Sequence, residues 1–357
     1  MKDFIYQGQP SRVVFGAGSL AHLEREIERL GARRALVLST PGQRAQAEAV
    51  AERLGGRAAG VFARAVMHVP IETAREAREE ARRLGADCAV AIGGGSTTGL
   101  GKAIALESGL PILAIPTTYA GSEMTPIFGI TEAGLKKTGR DARVLPRTVI
   151  YDPELTVGLP VGLSVTSGIN AIAHAAEGLY ARDGNPVMDL MAAEGIRALA
   201  HALPAIRARG DDLEARGAAL YGAWLCGSVL GNVGMALHHK LCHTLGGSFD
   251  LPHADVHTVV LPQALAFNAS AAPDAMARMA EALGAAGRSA AAAVFDLARD
   301  NGAPVALREL GMREADLDRA AEIAVSNPYW NPRPIGAEQR GEIRALLQDA
   351  YEGARPA

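Results

Sequence analysis

A change of hydrophobic period near residue 155 constrains this chain more than any other feature. Before it, short β-rich runs alternate with longer helical patterns: 34–39 (RALVLS), 57–62, 87–92 and 111–115 read as strands, and 42–54, 71–84 and 97–106 as helices. Parallel strands need crossovers of a dozen or more residues between them, so this alternation predicts a parallel sheet covered on both faces. After Asp152-Pro153 the strand signals fade. Segments 167–181, 187–206, 213–230 and 235–244 carry helical spacing, punctuated by Gly, Pro and Asn. At 357 residues the chain exceeds what one core serves. The sequence therefore predicts an α/β, Rossmann-like domain over 1–155 and an all-helical domain over 156–357.

Charge excludes several function classes. The net charge is −3, and no basic block offers itself to nucleic acid or an anionic membrane surface. No stretch is long and apolar enough for a spanning helix, and the N-terminus lacks a signal-like apolar run. Cys88, Cys226 and Cys242 are odd in number and widely spaced, which suits a reducing compartment. A soluble, cytoplasmic protein is the expectation. Aromatics are only 4% of the chain, so the core must rely on small side chains and close-packed helices.

The strand at 88–92 runs into Gly93-Gly94-Gly95-Ser96 and then a helix. Glycines let the backbone approach a pyrophosphate, and the new helix presents free N–H groups and the positive end of its dipole. Pro116-Thr117-Thr118 follows the next strand in the same way, and its hydroxyls are further candidates for the ligand. Ser39, at the end of the 34–39 strand, completes the candidate dinucleotide site. No acid stands there to hold a ribose hydroxyl or repel a 2′-phosphate, so NADH and NADPH both remain open.

Five of the nine histidines fall within 238–257: His238, His239, His243, His253 and His257. His239 and His243 are four apart on a helix and share a face, whereas His238 is placed away from it. Asn170 and His174 repeat the four-residue spacing on another helix. Asn170, His174, His239, His243 and His253 are thus the candidates for one catalytic pocket.

The order Asn170-x-x-x-His174, His239-x-x-x-His243, His253 resembles the metal-site pattern of the iron-containing alcohol dehydrogenases, a family with the dehydroquinate synthase-like fold. The Gly-Gly-Gly-Ser loop, the Pro-Thr-Thr turn and Asn331-Pro332-Arg333 fall in the same family order. In that family an Asp and the histidines matching His174, His239 and His253 bind the metal, and the histidine matching His243 lies beside the substrate. Two positions depart: Asn170 replaces the ligand Asp, and Gly99 stands where an Asp is common. Both departures, with GGGSTTGLGK, PTTYAGSEMTP and NPYWNPRP, resemble the maleylacetate reductase branch.

The resemblance implies NADH- or NADPH-dependent reduction of the C=C bond of maleylacetate, a small dicarboxylate, to 3-oxoadipate in aromatic-compound degradation, by a homodimer. An amide offers a cation a dipole where a carboxylate offers a charge. On that ground the expectation is no metal, with Asn170, His174, His239 and His253 as a vestigial site. Lys136, Lys137, Arg140, Lys240 and Arg333 are candidate partners for the substrate carboxylates, and Tyr119 and Tyr329 possible hydroxyl donors. The alternatives are a metal-dependent alcohol or polyol dehydrogenase and a non-catalytic cofactor-binding protein.

Overall fold

The computed structural model describes residues 4, 6–9, 11–133 and 135–357, without the side chains of Leu135 and Lys136. Two compact units emerge, Gly8–Leu159 and a second built on Pro160–Ala357.

The first unit contains strands β1 (Arg12–Phe15), β2 (Ala35–Leu38), β3 (Ala58–Phe62), β4 (Cys88–Gly93), β5 (Ile112–Pro116), β6 (Ile127–Glu132), β7 (Leu135–Arg140) and β8 (Thr148–Tyr151). Six form one sheet in the order β1-β8-β5-β4-β2-β3, with every neighbouring pair parallel. Helices α1 (Leu23–Arg29), α2 (Arg44–Leu54), α3 (Ile71–Arg83) and α4 (Gly95–Ser108) cover it. Strands buried on both faces must be apolar throughout, and β2 and β4 are. Val37, Val90, Ile92 and Leu113 meet Leu23, Ile27, Ala47 and Val50 on one face. On the other, Leu36, Leu38 and Ala89 meet the alanine stripe Ala74, Ala77 and Ala81 of α3 and Leu100, Ala103 and Ile104 of α4. The remaining strands, β6 and β7, pair as an antiparallel hairpin.

The second unit is helical: α5 (Val161–Gly178), α6 (Pro186–Ala208), α7 (Leu213–Asn232), α8 (Leu237–Phe249), α9 (His253–Asn268), α10 (Pro273–Ala282), α11 (Ala290–Asp300), α12 (Leu317–Ser326) and α13 (Arg340–Glu352). The start signals are chemical. Asn185 caps α6 by accepting from Met188 N, and Asp212 caps α7 by accepting from Glu214 N and Ala215 N. Every residue of α5 from 164 to 178 is buried. Small residues permit this density: a Cβ on Gly222 would lie 2.9 Å from the carbonyl of Gly195, so α6 and α7 touch backbone to backbone. A second core joins α8, α9, α12 and α13 through Leu241, Leu245, Val260, Leu317, Ile343 and Leu347. Among the described residues no single helix is long and apolar enough to cross a membrane.

Candidate active site

In the first unit, β2 has β3 on one side and β4 on the other, so the chain's direction of travel across the sheet reverses between β2 and β4. Open parallel sheets bind ligands outside the carboxyl ends of the strands at such a point. The loop predicted to hold phosphate lies there. Gly93 ends β4 at φ 149°, a conformation L side chains rarely adopt, and an added Cβ would sit 2.5 Å from Thr97 Oγ1 and 2.8 Å from Gln43 Oε1. Gly95 opens α4 in an exposed position, with Gly94 and Ser96 half-buried beside it. Thr117 N donates to Gly93 O, and Gln43 Nε2 donates to Thr117 Oγ1 at 2.8 Å, which ties the loops after β2, β4 and β5 together. Thr118 is half-buried against Gly94. Ser39 is fully buried, and its hydroxyl donates to Thr40 O, so its part is to shape the loop.

The histidine cluster is in the second unit, where α5, α8 and α9 meet. Asn170 and His174 lie one turn apart on α5, each 4% exposed. The His239 ring centroid is 5.1 Å from that of His174. His253, at the start of α9, packs its ring at a tilt against that of His257 one turn later, centroids 4.4 Å apart. His243, a turn after His239, is exposed, and its Nδ1 is 2.9 Å from the Tyr329 hydroxyl. Asn170, His174 and His239 thus lie in the interior where α5 meets α8, with His253 half-buried at the start of α9 and His243 exposed a turn beyond His239.

Three participants lay outside the sequence candidates. Glu177 is fully buried at the start of α8, where its carboxylate accepts from Ala236 N, His238 N and His239 Nδ1 at 2.6, 2.7 and 2.7 Å. It caps the helix and fixes the His239 ring in one step. Its signal was legible, since Asn170, His174 and Glu177 follow the four-then-three spacing of one helical face. His257 shares the same relation with His253. His238 does not point away from the cluster: it is fully buried, with Nε2 2.9 Å from His257 Nδ1. Its face of α8 is covered by α9, a contact that helical spacing alone does not reveal.

Burial, reinforced by the neighbouring histidines, holds the pKa values of His174, His238 and His257 well below the usual imidazole range. The neutral form that burial favours is the form that ligates metals. Burial also lowers the pKa of Lys240, whose ammonium lies 6.0 Å from the Tyr329 ring. Two other candidate cations are engaged elsewhere. Arg333 pairs with Glu342 and stacks on Phe267, and Lys137 pairs with Glu132. The side chain of Lys136 lies outside the described residues, and Tyr119 is fully buried in the first unit. Asn331 is structural: it exchanges amide hydrogen bonds with Asn268 and accepts from Leu237 N at the start of α8.

The iron-containing alcohol dehydrogenase family model matches residues 10–153, and its C-terminal counterpart matches residues 164–351. The chain belongs to the iron-containing alcohol dehydrogenase family. It is 66% identical to a maleylacetate reductase of Burkholderia cepacia, over 100% of both chains. The crystal structure of a maleylacetate reductase from Agrobacterium tumefaciens is 58% identical, with a TM-score of 0.95 over 100% of both chains. An iron-containing alcohol dehydrogenase from Corynebacterium glutamicum is 43% identical with a TM-score of 0.94, over 100% of this chain and 99% of that one.

Family membership overturns the expectation of a protein without metal. The family and its Corynebacterium member are iron-containing, and His238, Cys242 and His257 place three metal-ligating atoms within 4.8 Å of one another. The expectation rested on one lost carboxylate charge and left His238, Cys242 and His257 out of the donor count. The residues fit a cation on structural grounds as well. Asn170 Oδ1, His174 Nδ1, His239 Nε2 and His257 Nε2 are all buried without a hydrogen-bond partner. Buried polar atoms of that kind call for a ligand.

Proposed function

We propose that the chain is a maleylacetate reductase, reducing the C=C bond of maleylacetate with NADH or NADPH to give 3-oxoadipate. The observation that carries this reading is 66% identity over the full length to a maleylacetate reductase. The histidine cluster supplies a chemistry consistent with it.

The dinucleotide supplies a hydride when bound, and its pyrophosphate matches the open start of α4 at Gly93, Gly94, Gly95 and Ser96, with Thr117 and Thr118 alongside. Asn170, His174, His239 and His253 would hold the metal, which would supply Lewis-acid polarisation of the substrate ketone. The reaction adds hydride to the alkene carbon β to the ketone and a proton to the carbon between them. Negative charge passes through an enolate, which is less basic than an alkoxide, so hydrogen-bond donors stabilise it well. His243 would deliver the proton. It is exposed, and its second ring nitrogen is oriented by the Tyr329 hydroxyl. Glu177 holds His239 in a single tautomer behind it. Lys240 is the cation on the same helix that suits a substrate carboxylate. A cytoplasmic homodimer completes the proposal.

The test is oxidation of NADH and NADPH by purified protein with maleylacetate, with 3-oxoadipate identified by mass spectrometry. Turnover with stoichiometric 3-oxoadipate supports the reading. Activity on simple alcohols and none on maleylacetate would replace it with an alcohol dehydrogenase.

A further inference from the structure

The last residue of the GGGSTTGLGK string, Lys102, takes no part in the proposed chemistry, yet its side chain is enclosed inside the first unit. It lies about two turns along α4 from Gly95. Its ammonium donates to Ser122 O and Ile127 O, both at 2.7 Å, and to Thr125 Oγ1 at 2.9 Å. Three donors thus meet three acceptors, with Ser122 Oγ further off at 3.3 Å. All these oxygens belong to the stretch 122–127, and none is a carboxylate. Burial pulls the Lys102 pKa down, to about 7, although the charge of Glu123 opposes that shift. The Glu123 carboxylate is turned to Tyr151, whose hydroxyl donates to its Oε1 at 2.7 Å.

A cation buried against neutral oxygens is a poor source of stability, because an apolar chain of the same length fills the space without leaving water. What it secures is direction. Three acceptors converging on one ammonium define the path of the chain through Ser122–Ile127. That stretch continues from Pro116-Thr117-Thr118 at the end of β5, whose near end is already fastened to the glycine turn. Thr117 N donates to Gly93 O at 3.1 Å, Thr118 packs against Gly94, and Ala120 stands beside Gly95. The segment 117–127 is therefore tied at one end to the turn that opens α4 and at the other to Lys102 on α4 itself. The free N–H groups that would face the ligand are those of the same helix.

With the Gly93–Ser96 turn read as the dinucleotide site, we propose that Lys102 is a positioning residue for the dinucleotide. It holds Thr117 and Thr118 at the spacing from that turn at which both loops reach one pyrophosphate. Without the ammonium, the far end of the segment loses its anchor, and the threonine hydroxyls lose their fixed distance from the helix start.

The experiment titrates full-length wild type, Lys102→Met and Thr125→Val with NADH and with NADPH by fluorescence, and follows initial rates with maleylacetate. Methionine fills the space without a donor, and valine removes one acceptor while leaving Lys102 in place. In Lys102→Met the Kd and KM of the dinucleotide should rise roughly tenfold, the low end for one lost hydrogen bond to a charged group, with kcat and the KM of maleylacetate within about twofold of wild type. Thr125→Val should shift the dinucleotide Kd the same way, by roughly threefold. A lysine that merely supports the fold gives another pattern: a lower unfolding midpoint and a smaller active fraction, with the dinucleotide Kd unmoved. That pattern in a wild type that binds NADH or NADPH overturns the role of Lys102 alone. A wild type that binds neither dinucleotide removes the reading of the turn, and the role of Lys102 with it. Should Lys102→Met not fold by circular dichroism, the Kd of Thr125→Val decides.

Discussion

Replacing Glu177 by Gln tests whether one buried carboxylate organises the cluster. The substitution keeps the volume but turns one oxygen into a donor. Glu177 Oε1 accepts from His238 N, and Oε2 accepts from both Ala236 N and His239 Nδ1. Whichever way the amide turns, its NH₂ faces at least one backbone N–H. One buried donor is then left unpaired, at about 1–3 kcal/mol, and the surviving bonds lose their charge assistance. A total near 3 kcal/mol follows, which for a unit of this size lowers the unfolding midpoint by about 6–12 °C. Thermal unfolding followed by circular dichroism measures it. Turnover should fall as well, because His239 loses the charged partner that selects its tautomer. A midpoint within about 1 °C of wild type would refute the assignment of Glu177 as the buttress of α8 and His239.

Four further outcomes are expected. His243→Ala should lower turnover by well over tenfold while NADH binding, read by fluorescence titration, stays intact. Gly93→Ala forces a Cβ to 2.5 Å from Thr97 Oγ1 at a φ of 149°, so dinucleotide affinity should drop and stability fall by about 1–3 kcal/mol, both measurable by titration and calorimetry. Chelation should lower the unfolding midpoint, and metal at 100 times its Kd should restore about 2.7 kcal/mol. Asn170→Asp returns a charge to the donor set and should tighten iron(II) binding by at least about tenfold, as seen in competition with a chelator.

Much of the molecule was legible in advance. Strands β2 to β5 are apolar runs flanked by helical spacing, and each was expected within a residue or two of its place. Strands β1 (RVVF) and β8 (TVIY) are four residues long and give too little pattern to separate from loop. The β6–β7 hairpin escaped because LKKTGR is polar. Helix α5 begins at Val161, ahead of the expected 167, across Gly162, Ser164 and Thr166. Those residues are weak helix formers, and burial among neighbouring helices overrides their propensity. In the cluster, four-residue spacing revealed which histidines share a face. It could not reveal that α8 is enclosed on two sides, which is why His238 and His257 were undervalued and the metal with them.

Helix α5 presents Asn170, His174 and Glu177 from a single rod buried along nearly its whole length. Each residue added to such a rod turns everything beyond it by about 100°. An insertion or deletion between Asn170 and Glu177 would therefore swing the inner buttress away from α8 while the outer donors stayed in place. No loop lies between these three side chains to absorb the error. Substitutions in this stretch can be graded and compensated one at a time, but its length admits no variation at all.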